Sequence, residues 1–500
     1  MLTILPPPPA PFRHKPALAK LRALVLACLL ALVATPPAHA HLGSKDVFEQ
    51  VSAGPYKLFV TIRPPNVIPG IATVEVRATG PGIDTVKIAP MPLTGEASRH
   101  PPTPDVLKRS AADPNFYTGG VWMMAPGSWQ VRFEIDGAGG HQAASVPVAA
   151  VAISTLKMDR QLGIPLAILG VFLVLTMAGV VAAAIREARL RPGEQATPSM
   201  RRGGLIAMTA SLILMGLMVW GGAKWWNVEA ASYADDIYRP LNVDASLTGD
   251  QLDLKIGTYE GRFKTRDRSN ADFLPDHDHL MHLYAIRQPE MDAVFHLHPD
   301  LASPGDFRMA LPAMPAGTYK LYGDVVHANG FPETLLATVD IPAGIPAAAI
   351  GPDDATATPA PISAGQLGPS YKLPDGYTMV WDKPATLTAT TAYNLHFRLL
   401  GPDGKPATGM QPYMGMTGHA AFVKDDGTVF AHTHPEGSAA MAALDIANGG
   451  MESMASMSNG PTPPEVDFPY GFPTPGQYRV FIQMKHGGTI ETGVFDATVQ

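Results

Sequence analysis

The 500-residue sequence contains a single cysteine, Cys28, and it lies in a segment that we expect to be removed. Basic residues precede an apolar run at residues 23–33, and Ala38-His39-Ala40 fits the small-x-small pattern of secretory cleavage sites. Residues 1–40 are therefore predicted to be a signal peptide. A lipid anchor on Cys28 is the alternative, disfavoured because the apolar run continues past it. The mature chain then has no disulfide and no thiolate metal ligand.

Charge is also scarce, since only 16% of the residues are charged and the net charge is −7. Loss of the four basic residues of the signal peptide moves the net charge to −11. A mildly acidic exported chain is a poor candidate for binding nucleic acid, so no nucleic-acid partner is expected. The length indicates several domains.

Familiar catalytic motifs are missing. The sequence has no His-Glu-x-x-His, no P-loop, no Gly-x-Ser-x-Gly and no dinucleotide-binding fingerprint. We therefore do not predict an enzyme.

Two apolar runs, residues 162–185 and 203–223, are long enough to span a bilayer. The loop between them, 186–202, holds five arginines, which predicts a cytoplasmic location by the positive-inside rule. The two runs contain no ionisable residue, which favours an anchor over a transport path. We expect a bacterial inner-membrane protein whose N-terminal and C-terminal parts both lie in the periplasm.

The rest of the chain alternates apolar and polar residues between Gly- and Pro-rich turns, a pattern typical of half-buried antiparallel strands. The sequence predicts a mainly β protein with three immunoglobulin-like or cupredoxin-like β-sandwich domains and two transmembrane helices. The sandwiches are placed at residues 41–155, 245–342 and 376–500, the last with a Met-rich insertion. Residues 343–375 are predicted to be a linker.

The last two β-rich segments repeat each other. His282-Leu-Tyr-Ala-Ile matches His419-Ala-Ala-Phe-Val, and His296-Leu-His298-Pro matches His432-Thr-His434-Pro. In each segment a Gly-x-Tyr turn with a proline just before it, PAGTY in the first and TPGQY in the second, leads to a final histidine eight residues beyond the tyrosine. The matched positions are His282, His296, His298 and His327 in the first segment, and His419, His432, His434 and His486 in the second.

Histidine pairs at i and i+2 of a strand project from the same face, so each His-x-His offers two imidazoles to one ion. We expect the remaining matched histidines to complete each set if their strands are neighbours. Imidazole suits copper, zinc and nickel. Methionines near the second His-x-His, including Met414 and Met451, favour copper because thioethers prefer Cu(I). The alternative is that these histidines only hydrogen-bond within the fold.

Two further candidate groups lie outside the repeat positions. His277 and His279 stand beside Asp276 and Asp278 in PDHDHLMH, which is either a mixed carboxylate–imidazole metal site or a solvated loop. His41 becomes the N-terminal residue after cleavage and can then chelate Cu(II) through its α-amine and ring, although any residue can follow a cleavage site.

The stretch from HLGSKDVFEQ to MAPGSWQVRFEI resembles the YtkA-like and FixH-like exported β-sandwich domains. Its N-terminal histidine is similar to that of CopC-type copper carriers. The whole layout resembles a group of bacterial two-helix membrane proteins with a His-rich periplasmic tail. The resemblance implies a context of copper handling or oxidase assembly and implies no catalytic residue.

Three hypotheses follow. The first is a membrane-anchored periplasmic protein that binds copper, or zinc, and passes it to a periplasmic acceptor or oxidase-assembly protein. The second is a protein-interaction module in which the histidines are structural. The third is an oxidoreductase that uses the copper.

Overall fold

The computed structural model of the protein describes residues 46–156, 158–235, 237–258, 268–364, 366–449 and 461–500. The predicted signal peptide, His41 and Met451 lie outside the described residues. Strands make up 44% of the structure, in several antiparallel sheets, and these described residues contain three α-helices, two of them long and apolar. The predicted mainly β character is confirmed.

The first nine strands surround one apolar core. They are β1 (Val47–Ala53), β2 (Tyr56–Arg63), β3 (Gly70–Thr79), β4 (Ile83–Pro92), β5 (Asp105–Val106), β6 (Lys108–Arg109), β7 (Phe116–Met123), β8 (Gly127–Gly137) and β9 (Gln142–Ala150), with a 3-10 turn at Glu96–Arg99. One sheet has the order β1-β2-β3-β7-β6 and the other β5-β4-β8-β9. In β3, Ala72, Val74, Val76 and Ala78 are all buried, because alternate residues of a strand share one face.

Two long helices follow: α1 (Arg160–Glu187) and α2 (Pro198–Asp235). They contain the two predicted spans, and each is long and apolar enough to cross a membrane. Asp159 caps α1 by accepting a hydrogen bond from the Gln161 backbone at 3.0 Å, which satisfies one of the free N–H groups of the first turn. Most of the apolar side chains along both helices are exposed.

The first of the two repeated segments, here called the first copy, comprises ten strands with the short β19 included. They are β10 (Val243–Thr248), β11 (Gln251–Ile256), β12 (Phe273–Leu274), β13 (His282–Gln288), β14 (Val294–Leu297), β15 (Asp300–Ser303), β16 (Asp306–Ala310), β17 (Gly317–His327), β18 (Pro332–Ile341) and β19 (Ala355–Ala357). Its outer sheet is β10-β11-β16-β15. Its inner sheet is β12-β17-β13-β14-β19, and β18 also pairs with β17.

The second copy follows a 3-10 turn at Ile362–Ala364. It consists of β20 (Ser370–Lys372), β21 (Thr378–Trp381), β22 (Tyr393–Leu400), β23 (Met410–Gln411), β24 (His419–Lys424), β25 (Phe430–Thr433), α3 (Met441–Asn448), β26 (Glu465–Tyr470), β27 (Gly476–His486) and β28 (Thr489–Val499). Its outer sheet is β20-β21-β22-β26. Its inner sheet is β23-β27-β24-β25, and β28 also pairs with β27.

The two inner sheets have the same strand order and the same register. His282 pairs with Asp324, three residues before His327, and His419 pairs with Gln483, three residues before His486. The repeat that is visible in the sequence is therefore a repeat of strand pairing as well.

The inner sheets pack on each other through an apolar interface between the copies, to which Tyr284, Tyr322, Phe430 and Phe481 contribute. Alternation along β13 explains this, because Leu283 and Ala285 enter the core of the first copy while Tyr284 and Ile286 face the second. His282 and His419 begin β13 and β24, on the face that looks across this interface.

The predicted linker, residues 343–375, contributes to the first copy. Within it, β19 pairs with β14 and places Ala355 opposite His296. The preceding residue, Asp354, is thereby held beside the His-x-His pair of the first copy.

Candidate metal centre

Eight histidines form one group where the two copies meet. Each imidazole ring has its centroid within 6.5 Å of at least one other histidine ring of the group. We call this group the histidine cluster; its members are His277, His279, His282, His296, His298, His419, His432 and His434.

The His-x-His pairs project as the strand period requires. The ring centroids of His296 and His298 are 4.6 Å apart, and those of His432 and His434 are 4.8 Å apart. The prediction that both members of a pair lie on one face is confirmed. Because each pair lies at the end of an inner-sheet strand that faces the other copy, the two pairs meet.

Three rings of the first copy turn one nitrogen each towards a common point. His282 Nδ1 lies 3.2 Å from His296 Nε2 and 3.2 Å from His298 Nε2. We call these three residues the first triad.

The other nitrogen of each ring in the first triad is held by an oxygen. His282 Nε2 contacts the Asp276 carbonyl oxygen at 3.0 Å, His296 Nδ1 contacts Gln483 Oε1 at 2.9 Å, and His298 Nδ1 contacts Asp354 Oδ1 at 3.0 Å. A neutral imidazole carries one N–H and one lone pair. Since the outward nitrogens face hydrogen-bond acceptors, they carry the hydrogens, and the inward nitrogens carry the lone pairs.

Three lone pairs that face one another repel unless a cation lies among them. A tetrahedral ion bound 2.0–2.1 Å from each nitrogen would hold the nitrogens about 3.3–3.4 Å apart, close to the separation observed here. Outward hydrogen bonds that fix the tautomer and orientation of each ring are the usual support of histidine ligands. The first triad is thus one of the groups that could hold a metal ion.

A second set of three rings, the second triad, combines both copies. His277 comes from the loop before β13, whereas His419 and His434 belong to the second copy. Their ring centroids form a nearly equilateral triangle with sides of 4.9, 5.1 and 5.2 Å. One ligand atom from each of the three lies within 4.8 Å of the other two.

The rings of the second triad are not held by hydrogen bonds as those of the first triad are. Among the residues that the structure describes, neither ring nitrogen of His277, His419 or His434 has a hydrogen-bond partner. The backbones of Met414 and Ala439 lie beside His277 and His434, outside hydrogen-bonding geometry. Buried imidazoles without partners cost free energy, and such groups call for a ligand or ordered water.

Two members of the cluster belong to neither triad. The ring of His432 lies between the triads, with centroids 5.2 Å from His282 and 4.8 Å from His434, and its Nε2 has no partner among the described atoms. The ring of His279 stacks on His298 at 4.0 Å.

Burial keeps most of these imidazoles neutral. Burial, followed by the charge that neighbouring histidines would carry, holds the pKa of His282, His296 and His419 well below the ordinary 6.5. The pKa of His434 is also well below that value for the same two reasons. Burial lowers the pKa of His298 as well. Neutral rings at pH 7 leave lone pairs free for a metal ion.

The structure does not bring His327 and His486 into the cluster. His327 Nδ1 contacts Asp272 at 2.8 Å and its Nε2 contacts Glu333 at 2.9 Å, so both nitrogens are occupied. Burial alone would lower the pKa of His327, but hydrogen bonds to these two carboxylates raise it. The expected set of four matched ligands per copy is wrong in this respect, because β17 and β27 neighbour β13 and β24 and do not neighbour the His-x-His strands.

His486 makes the corresponding contact in the second copy. Its Nε2 lies 3.2 Å from Glu491 and 3.3 Å from Asp375, and its ring stacks on Tyr377. These three groups lie close enough together to hold a metal ion. The match with His327 and Glu333 indicates instead a histidine–glutamate pair that is repeated in both copies.

Several supporting residues were missed by sequence reasoning. They are Asp354, Tyr413 and Gln483, and the only signal for Asp354 was a Gly-Pro-Asp-Asp turn inside the predicted linker. Tyr413 donates to the Asp353 carbonyl at 2.8 Å and its hydroxyl oxygen lies 3.3 Å from His296 Nδ1. The predicted ligand Asp276 acts through its backbone carbonyl, and its carboxylate caps α3 at Ala442.

Comparison with protein families gave a match to part of the chain. The family model described as "Domain of unknown function (DUF8832)" matches residues 242–343 and 372–500. The matched residues cover most of the two copies, without β19, and include the whole histidine cluster. The match does not extend to residues 41–155, so the resemblance of that segment to YtkA-like and FixH-like domains stays a prediction.

A search of curated proteins found no match. Solved structures give distant similarity only. Salmonella α2-macroglobulin reacted with methylamine is 9% identical over 92% of this chain and 24% of that chain, with a TM-score of 0.19. E. coli α2-macroglobulin in its native conformation is 8% identical over 92% and 23%, with a TM-score of 0.20. The chain spans about a quarter of these proteins, and such low scores carry no inference.

Proposed function

We propose that the protein binds a copper ion through His282, His296 and His298 and that it holds or delivers copper at the outer face of a bacterial inner membrane. The observation that supports this most directly is the convergence of three buried lone pairs, each fixed by an outward hydrogen bond.

The donor set favours copper. All three converging atoms are imidazole nitrogens, and no carboxylate oxygen is among them. For a given nitrogen site, affinity among divalent first-row metals peaks at Cu²⁺, above Ni²⁺ and Zn²⁺. Neutral imidazoles also bind Cu(I), and three protein ligands leave a position from which a bound ion can be passed on. Zinc is the alternative ion, since it accepts the same ligands.

Helices α1 and α2 and the predicted signal peptide support the membrane location. If the two helices span the inner membrane, the arginine-rich loop between them lies in the cytoplasm and both copies lie in the periplasm. A periplasmic metal acceptor or an oxidase-assembly protein is the proposed recipient. No catalytic role is proposed.

The test is a titration of purified full-length protein with Cu(II), Cu(I) and Zn(II) against competing chelators. The double variant His296→Asn/His298→Asn removes two converging nitrogens and should lose at least one tightly bound copper ion per chain. His396→Asn is the matched control, because His396 is a half-buried histidine on β22 that pairs with Asp467 away from the cluster. It should bind as the parent protein does.

Two outcomes would overturn the proposal. A parent protein that binds no copper, or a double variant with unchanged binding, would show that the first triad is not a site. Tighter binding of Zn(II) than of Cu(II) under the same competition would overturn the choice of copper.

A further inference from the structure

We propose that the histidine cluster holds two metal ions and that the second ion is bound jointly by both copies, through His277 of the first and His419 and His434 of the second. This inference rests on the proposed metal binding and deepens it. A site shared in this way requires the two copies to be packed together.

Geometry and unmet hydrogen bonding support the second site. The nearly equal spacing of its three rings places them around one point, as ligands around an ion are placed. All six of their ring nitrogens lack partners among the described residues, and His419 and His434 are almost completely buried. An ion coordinated by one nitrogen from each ring would give a partner to three of these six unpaired nitrogens.

Backbone geometry shows that His277 is held in place. His277 and Asp278 both adopt positive φ, at 51° and 69°, in a tight turn closed by two hydrogen bonds between Asp276 and His279. The second copy has the same turn between Tyr413 and Met416, where Met414 occupies the position of His277 with φ of 50°. The turn is thus common to both copies, whereas the imidazole is particular to the first.

His432 connects the two triads. Its ring is 5.2 Å from His282 of the first triad and 5.5 Å from His419 of the second, measured between centroids. Its Nε2 has no hydrogen-bond partner among the described atoms. We infer that His432 supplies a fourth nitrogen and that it can serve either ion, which makes it the residue through which an ion would move between the two positions.

The experiment is a count of copper ions per chain in the full-length protein, by elemental analysis and by titration with Cu(II). The parent should bind two ions. His277→Asn should bind one, since asparagine tolerates positive φ and removes the imidazole from an otherwise intact first triad. His434→Asn should also bind one, and His396→Asn, on β22 outside the cluster, serves as the control and should keep two.

Electron paramagnetic resonance of the Cu(II) protein supplies a second readout. Two nearby copper ions broaden each other's signal, so the parent should show a coupled spectrum and His277→Asn a spectrum of one isolated ion. Combining His277→Asn with His296→Asn/His298→Asn should abolish tight binding.

The results separate the two proposals. One ion in the parent, lost in His296→Asn/His298→Asn but kept in His277→Asn, would overturn the second site and leave the proposed function standing. No ion in the parent would overturn the proposed function itself. Loss of both ions in His277→Asn, with unchanged thermal unfolding of the metal-free variant, would also overturn the model of two sites with separate ligands.

Discussion

His296 Nδ1 lies 2.9 Å from Oε1 of Gln483, and the two residues belong to different copies. Gln483 projects from β27 of the second copy and fixes the ring of a proposed ligand in the first. The orientation of the first triad thus depends on how the two inner sheets pack. Tyr284 adds to this contact, because its ring stacks on His296 at 4.2 Å and its hydroxyl donates to Gln483 Oε1.

Replacing Gln483 by leucine should lower copper affinity by about 10–100-fold, the usual effect of removing a hydrogen bond that orients a metal-binding histidine. The change should leave the number of ions per chain unaltered. Competition titration measures the affinity. Gln130→Leu removes another buried glutamine, which lies on β8 and donates to the Pro92 carbonyl, and should have no effect on affinity. Equal affinities for the Gln483 variant and the parent would contradict this role.

Phe430→Ala should weaken both stability and copper affinity. The Phe430 ring stacks on Tyr322 of the first copy with centroids 4.4 Å apart. Its removal therefore weakens the packing between the two inner sheets, and the positions of the cluster histidines depend on that packing. Truncating a buried phenylalanine costs about 3–5 kcal/mol of unfolding free energy. Phe397→Ala should cost a similar amount but leave affinity unchanged, because Phe397 lies in the core of the second copy alone. Denaturant unfolding and copper titration of both variants compare the two quantities.

His327→Gln should reduce stability without changing copper content. The substitution removes the contacts with Asp272 and Glu333, and we expect a loss of about 1–3 kcal/mol because a buried carboxylate loses a partner. Glu333 keeps its ion pair with Arg268, which limits the loss. Elemental analysis and chemical unfolding are the measurements. A lower copper content in the variant would contradict this prediction and indicate that His327 is a metal ligand.

Glu49→Gln should stabilise the protein at neutral pH. Burial raises the pKa of Glu49 well above 4.5, offset in part by a hydrogen bond from the Ala439 backbone. When the pKa of a carboxyl group is higher in the folded protein than in the unfolded one, its contribution to stability is complete below the unfolded-state pKa. That contribution is lost as pH rises through the folded-state pKa. The parent should therefore lose up to about 1.4 kcal/mol per pH unit in that window, and the glutamine variant should not.

Unfolding measured between pH 4 and pH 8 tests the last prediction. Glu96→Gln, in an exposed 3-10 turn of the same region, is the control and should keep the pH dependence of the parent. A Glu49 variant with the same slope as the parent would show that this carboxyl group is not the source.

Sequence patterns predicted the local parts of the site. Alternation along strands is enough to place His296 beside His298 and His432 beside His434, and the repeat aligned His282 with His419. The partners of these pairs depend on which sheets face each other, a non-local property that alternation does not encode. For that reason His327 and His486 were grouped with the wrong neighbours. The position of His277, whose ring lies beside His419 and His434 of the second copy, was not predicted either.

The hydrogen bond between Asp354 and His298 was not predicted, for a different reason. Asp354 lies in a stretch rich in Ala, Pro and Gly, a composition that predicts a linker. Three residues of that stretch nevertheless pair with β14, because the edge of the inner sheet offers free backbone groups to any adjacent extended chain.

The difference between His277 and Met414 at one shared turn has a consequence for how such a centre can diversify. In an assembly of two identical chains, every substitution appears twice, and both ion positions change together. Here the two halves are joined in one polypeptide, so a single substitution alters one position and leaves its counterpart untouched. The tandem arrangement would thereby permit the two proposed ion positions to differ in affinity, which is the condition for an ion to have a preferred direction of travel.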